Sequence, residues 1–397
     1  MLRSMERWVR ARRCAAIALL LATSTGCESL LTVDNPSSIL DEDLDTEAGI
    51  AALTAGVAGD FNDAYTTTAL WVALLSDELL HTGTAPSERN ASLGDVAVED
   101  AAFNDLASAR WAADDAVRRF RELLTDADAR SETASVSIYS GYALLLLADN
   151  HCLVPIDGGA PQTPGEIYAL AEERFTTGLT IATAAGDAEL QQRAHAGRAR
   201  ARLVQGNYAE AIVDAREVAD GFTFESIHSE TTQNNAFPAR TISSIRREIS
   251  VHPRIYEDAR FVTDPRTPFV DNDELGVDGS SKFVEQRKYL TRADDMEISS
   301  WQEMRLIQAE AEVRLGDAAA AVALLDEVRA AAGLDPYTGS VSESAVLDQI
   351  VYERTAELFL EGQRLNDQRR FGDPWLDGRG TCFDISQEER DANPNID

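Results

Sequence analysis

Glu303-Met304-Arg305-Leu306-Ile307-Gln308-Ala309-Glu310-Ala311 leads into Arg314-Leu315-Gly316-Asp317 and then Leu325-Asp326-Glu327-Val328-Arg329. The same pattern occurs earlier in the chain. With Gly206 set on Gly316, Ala199, Ala201, Ala211 and Val218 fall on Ala309, Ala311, Ala321 and Val328, and Asn207 falls on Asp317. Glycine closes a first helix where a positive φ is needed, and Asn or Asp caps a second. Alanines at these offsets let two antiparallel helices approach closely, while Ala321, Leu324, Leu325 and Val328 make a continuous apolar face. A helix pair repeated in this way is the tetratricopeptide pattern. Segments 136–149 and 166–184 read as a third, degenerate copy. Such scaffolds bind other molecules without naming them.

Outward from the repeat, helical periodicity dominates, which predicts an all-α class. Helices are expected at 46–63, 68–80, 104–124, 132–149, 166–184, 188–205, 208–219, 300–315, 318–332 and 343–370. Trp71, Trp111 and Trp301 fall on these patterns and are expected in the core. The repeat scaffold therefore covers about 104–220 and 300–371, within a single domain from residue 27 to 397. Between 221 and 299 periodicity breaks down into Pro, Asp, Gly, Asn and aromatics, which reads as long loops with short strands or turns. A long irregular insert in a regular scaffold is more often a binding surface than a linker. In the last helix Glu353, Glu357 and Glu361 recur at i, i+4 and would repel if unpaired. Arg354, Arg364, Arg369 and Arg370 are expected to neutralise them in a structural network rather than leave a catalytic carboxylate pair.

Residues 1–26 read as a signal peptide. Arg3, Arg7, Arg10, Arg12 and Arg13 precede an apolar stretch from Cys14 to Ala22, and Thr23-Ser24-Thr25-Gly26 leads to Cys27. That stretch is too short to span a bilayer. A cysteine directly after small residues suits acylation, although Ser24 stands where a lipobox favours leucine. The alternative is plain secretion with Cys27 left for a disulfide. Loss of the leader leaves 371 of 397 residues, with 31 basic and 67 acidic side chains, a net charge near −36. Such a charge excludes nucleic acid and anionic membrane surfaces as partners. Cys152 and Cys382 remain, and in an exported chain they are expected to pair, with two free thiols as the alternative.

The last third continues with Ile350-Val351-Tyr352-Glu353-Arg354, Glu357-Leu358-Phe359-Leu360-Glu361-Gly362-Gln363-Arg364 and Asp367-Gln368-Arg369-Arg370-Phe371-Gly372. With the 303–311 helix and the paired repeat, this series resembles the SusD/RagB family of outer-membrane nutrient-binding lipoproteins. Asp34-Asn35-Pro36, Leu75-Ser76-Asp77-Glu78, Asp264-Pro265-Arg266, Lys288-Tyr289 and the tail 385–395 agree with it, so the likeness spans almost the whole mature chain. Asp384 departs from the proline usual in the family's tail, and the Cys152/Cys382 pair is not a general family feature.

The resemblance implies a lipid-anchored protein on the outer face of an outer membrane. It would capture a glycan, or sometimes a peptide, for a SusC-like TonB-dependent barrel. Sugar capture needs aromatic faces together with planar amide and guanidinium donors. Candidates in the irregular segments are His81, Arg89 and Asn90 in the first loop, and Asn234, Asn235, Phe237, Tyr256 and Phe269 in the insert. No catalytic, metal or cofactor motif appears: the five histidines are scattered, and no G-x-S-x-G, P-loop or dinucleotide fingerprint occurs. The rival readings are a surface hydrolase on a helical scaffold and a repeat protein organising other envelope proteins.

Overall fold

The computed structural model describes residues 44–96 and 100–396. The signal segment, Cys27 and the Leu30–Pro36 leader lie outside the described residues.

The first helix, α1 (Glu47–Leu75), is capped by Thr46, whose hydroxyl accepts the Gly49 N–H at 3.1 Å. The sequence predicts two helices here, 46–63 and 68–80, yet one helix passes straight through the residues between them, the β-branched Thr66 and Thr67 included. Tertiary contacts override local propensity. Tyr65 is buried and its hydroxyl donates to the backbone carbonyls of Glu297 and Glu361. The Thr66 hydroxyl accepts the Ala236 N–H at 2.9 Å. Past Ser76 the chain is extended, and Leu79–His81 form strand β1 rather than more helix.

The helices α2 (Asp100–Leu123), α3 (Ser131–Asn150), α4 (Pro164–Ala185), α5 (Ala188–Val204) and α6 (Tyr208–Arg216) follow. They pack successively, each on the next, and α1 lies on α2 and α3. α3 is buried almost all round, as befits a central helix. After the insert come α7 (Trp301–Arg314), α8 (Ala318–Ala331), α9 (Glu343–Glu357) and α10 (Arg364–Phe371). The repeat is present in three dimensions. Gly206 and Gly316 both adopt positive φ, at 80° and 97°. Ala199, Ala201, Ala211, Val218 and their counterparts Ala309, Ala311, Ala321 and Val328 are all buried. Asp317 caps α8 by accepting the Ala320 N–H at 2.9 Å, whereas Asn207 makes no such side-chain bond. Trp71 and Trp301 pack partly buried against the main core, but Trp111 is 57% exposed, contrary to expectation.

As expected, the insert carries short strands among its loops; they form three two-stranded antiparallel pairs, one of them with β1 outside it. β2 (Thr223–Ser226) pairs with β6 (Met296–Ser300), and β3 (Ile249–Val251) pairs with β1 through Leu79↔Val251. β4 (Phe269–Leu275) pairs with β5 (Lys282–Gln286). The Ser250 hydroxyl accepts the Val284 N–H at 2.8 Å and so joins β3 to β5.

The expected single helix over 343–370 is two. α9 ends at Glu357, Leu360 and Gly362 take positive φ, and α10 starts at Arg364. Glu361 therefore lies in a turn and is not one step further along a helix face. The network exists, but with other partners. Glu353 pairs with Arg266 at 2.7 Å and Arg329 at 2.6 Å, Glu357 with Arg266 at 3.2 Å, and Glu361 with Lys288 at 2.6 Å. Arg354 turns to Asp367 and Arg364 to Asp77, while Arg370 reaches Glu310. Insert and repeats are thereby locked on the last two helices.

Cys152 and Cys382 form a disulfide, with Cα atoms 5.2 Å apart. Backbone bonds flank it: Cys152 N–H to Phe383 at 2.9 Å, and Phe383 N–H to Asn150 at 2.7 Å.

Candidate functional site

The sequence candidates fall in three places. His81 is buried in β1, where burial holds its pKa below the usual value, and its N–H donates to the Ser92 hydroxyl at 3.0 Å. Arg89 is exposed and Asn90 half-buried in the short helix Pro86–Ser92. The second group lies at a turn tied to the middle of α1. Asn234 donates to the Ser229 carbonyl at 2.8 Å, and buried Asn235 uses its amide on Asp294 at 2.9 Å and its oxygen on the Phe237 N–H at 3.0 Å. Phe237 is wholly buried, its ring 5.4 Å from that of Tyr289. These two are core residues, because an Asn that bonds the turn's own backbone lets the following aromatic fold inward. In the third place, Tyr256 lies under the Lys282 ammonium, 5.4 Å from ring centre to Nζ, and Phe269 is half-buried on β4.

A cleft of about 630 Å³ lies close by, between the insert and the last helices. Its base comes from Asp77, just after α1, and its walls from the insert turns 253–262 and from α9 and α10. Arg364 grips Asp77 with both arms, at 2.6 and 2.8 Å, and Arg254 adds a contact at 2.8 Å. Burial alone would raise the Asp77 pKa, but the two guanidinium groups hold it below its ordinary value. Arg254 and Arg364 both also reach Asp373 at 3.3 Å.

Arg260 stands at the lip, its side chain 60% exposed. Its guanidinium carbon lies 4.9 Å from the Tyr352 ring centre and 5.8 Å from that of Phe261. Asp258 steadies it at 2.7 Å. Beyond this ridge a second groove of about 340 Å³ is lined by Thr263, Arg329, Tyr337 and Gln349. Fixed guanidinium groups, carboxylates, an amide and tyrosines suit a polyhydroxylated ligand, with donors and acceptors spaced along two joined depressions. Arg254 and Arg260 belong to the insert that the sequence marks as the binding region. Tyr352 carried no signal, because in one dimension it is simply part of a helix. Among the described residues, no group of three or more His, Cys, Asp or Glu is placed to hold a metal ion. No helix there is long and apolar enough to cross a membrane.

Residues 298–396, from the end of β6 to the tail, match the sequence model of the SusD family. Over that stretch the chain is similar to the SusD family. The fold agrees over most of the chain. A SusD superfamily protein from Bacteroides fragilis superposes with a TM-score of 0.71 at 14% identity, covering 89% of this chain and 98% of that one. One from Bacteroides vulgatus gives 0.70 at 15% identity, with the same coverage of 89% and 98%. A third, a SusD-like carbohydrate binding protein from Bacteroides vulgatus, gives 0.61 at 14%, covering 82% and 83%. No curated protein matches the chain.

Proposed function

We propose that this chain is a SusD-family surface lipoprotein, anchored through Cys27 to an outer membrane and facing the exterior. It captures a glycan or similar oligomer and passes it to a SusC-like TonB-dependent barrel. The observation that carries the reading is the SusD fold itself, completed by a cleft of paired guanidinium and carboxylate groups beside Tyr352. The carbohydrate-binding relative from Bacteroides vulgatus supports the ligand class. The carboxylates of α9 are bound up in ion pairs with Arg266 and Arg329, which favours a binder over a hydrolase.

Calorimetric titration with neutral oligosaccharides, followed by product analysis, tests this directly. Binding without turnover is expected. Turnover of the bound oligosaccharide overturns the reading in favour of a surface hydrolase. Co-purification from membranes with a large β-barrel is expected, and mass spectrometry of the mature N-terminus should find acyl chains on Cys27. A chain that binds no saccharide and recovers only other envelope proteins is a scaffold.

A further inference from the structure

Trp111 of α2 lines a groove of about 410 Å³ that shares no lining residue with the cleft around Arg254 and Tyr352. Asn104 and Arg110 of α2, Asp157 of the 155–159 turn, and Glu388 and Glu389 of the tail line it. The Trp111 indole is 57% exposed and so offers a broad apolar face at the groove. Its neighbours are not apolar, however. Asn104 donates to Glu388 at 2.9 Å, and Arg110, itself 5% exposed, holds Asp157 through bonds of 2.6 and 3.2 Å. A partner protein's hydrophobic surface would meet three carboxylates here, and burying them unpaired is unfavourable. One broad aromatic face ringed by planar hydrogen-bonding groups instead matches a pyranose ring, whose C–H face stacks while its hydroxyls bond the rim. The volume lies in the range of small-ligand sites.

The groove is also firmly built. The Cys152–Cys382 disulfide ties the two segments that form its far wall. Asn393 and Asn395 donate to the carbonyls of Gly159 and Gly158, at 2.9 and 2.8 Å, and clamp the tail on the 155–159 turn. We propose that this groove is a second saccharide seat, with Trp111 as its stacking platform, selective for neutral over anionic sugars. Its selectivity follows from charge: Arg110 is already engaged by Asp114 and Asp157, so Glu388 and Glu389 set the sign that an incoming ligand meets.

The inference rests on the glycan-binding reading above, and its test separates the two. The full mature chain and its Trp111→Ala and Trp111→Phe variants are titrated with neutral hexasaccharides of glucose, xylose and mannose, and with an oligogalacturonate. Folding is checked by thermal melts. The wild type is expected to bind at least one neutral hexasaccharide and to bind the oligogalacturonate more weakly. The wild-type isotherm should show two binding steps; Trp111→Ala should weaken one of them about tenfold or more and leave the other unchanged, and Trp111→Phe should recover part of the loss. Both steps unchanged in a folded Trp111→Ala variant, or a single step in that variant and the wild type alike, overturns the seat and leaves the general reading standing. Stronger binding of the galacturonate overturns the selectivity. Wild-type protein that binds none of the four overturns both. If the variant keeps its sugar affinity but no longer co-purifies with a β-barrel, the groove is a protein-docking surface instead.

Discussion

Arg200 in α5 and Glu303 in α7 form a two-armed ion pair with both side chains removed from solvent. Nε lies 2.6 Å from one carboxylate oxygen and Nη2 2.7 Å from the other. The same guanidinium donates to the Ile298 carbonyl at 2.6 Å, and the Ser299 hydroxyl donates to Glu303 at 2.7 Å. The pair therefore ties the two repeat copies together at the point where the insert returns to the scaffold. Removing one partner leaves an uncompensated buried charge, typically at a cost of about 3–5 kcal/mol. Glu303→Leu and Arg200→Met should each lower the free energy of unfolding, read from urea denaturation, by that order. The double variant, which buries no charge, should regain most of the loss. A double variant as unstable as the sum of the singles would show that the two side chains are not energetically coupled, against this account.

The disulfide joins residues 230 apart in sequence, and the tail has further ties on both sides of it. Cys152→Ser with Cys382→Ser is therefore expected to cost about 2–4 kcal/mol, chiefly by freeing the unfolded chain. The tail should nevertheless stay docked through Phe383, Asn393 and Asn395. Faster amide exchange confined to 381–396, with the rest of the pattern unchanged, is the expected signature. Loss of protection throughout α9 and α10 would contradict it.

Much of the scaffold was legible in the chain because its signals are local. Alanine offsets, glycines at helix ends and cap residues each act within a few positions, and the Gly206/Gly316 alignment located two helix pairs. The misreadings share one physical origin, interactions distant in sequence. α1 runs on through a threonine run because Tyr65 and Thr66 are held by Glu297, Glu361 and Ala236. The α9–α10 break arises where Leu360 donates its N–H to Glu78, 282 positions away. The insert was recognisable as loops with short strands, but strands of three to seven residues carry too little alternation for their positions and pairing to be read. Phe237 and Asn235 looked like binding residues because polar and aromatic side chains side by side look alike whether they face solvent or fold inward. The missed cleft residues Arg254, Arg260 and Tyr352 come together only through folding.

Gly362 takes φ 76° in the turn between α9 and α10, and a Cβ there would meet the Ala69 Cα at 3.3 Å. Gly158 has nearly the same φ, 70°, but open space where its Cβ would be. Backbone strain should cost each alanine substitution about 1–2 kcal/mol. Gly362→Ala should cost more than Gly158→Ala by whatever is needed to part the turn from α1. Paired thermal melts measure that difference, and equal losses would mean the turn yields freely.

Glu78 is buried, accepts the Leu360 N–H at 2.7 Å through one oxygen, and has no partner for the other. Burial pushes its pKa up to about 7 from 4.5, against the pull of the Leu360 N–H and Arg364. In the folded chain it holds a proton that the unfolded chain has released. Its stabilising contribution is therefore complete below about pH 4.5 and lost as pH rises through about 7, up to about 3 kcal/mol by pH 8. Glu361, pushed up to about 8 by burial despite Lys288, works in the same direction. His151 and His252 work the other way. Burial brings each down to about 4 from 6.5, so their contribution is complete above 6.5 and lost as pH falls through about 4. Between pH 6.5 and 8 only the glutamates of this set still change. Urea midpoints are therefore expected to fall across that window, and Glu78→Gln, which cannot ionise, should flatten the fall without removing it. A variant with the wild-type slope would show that Glu78 is already ionised in the fold, neutralised by Arg364 and Lys288.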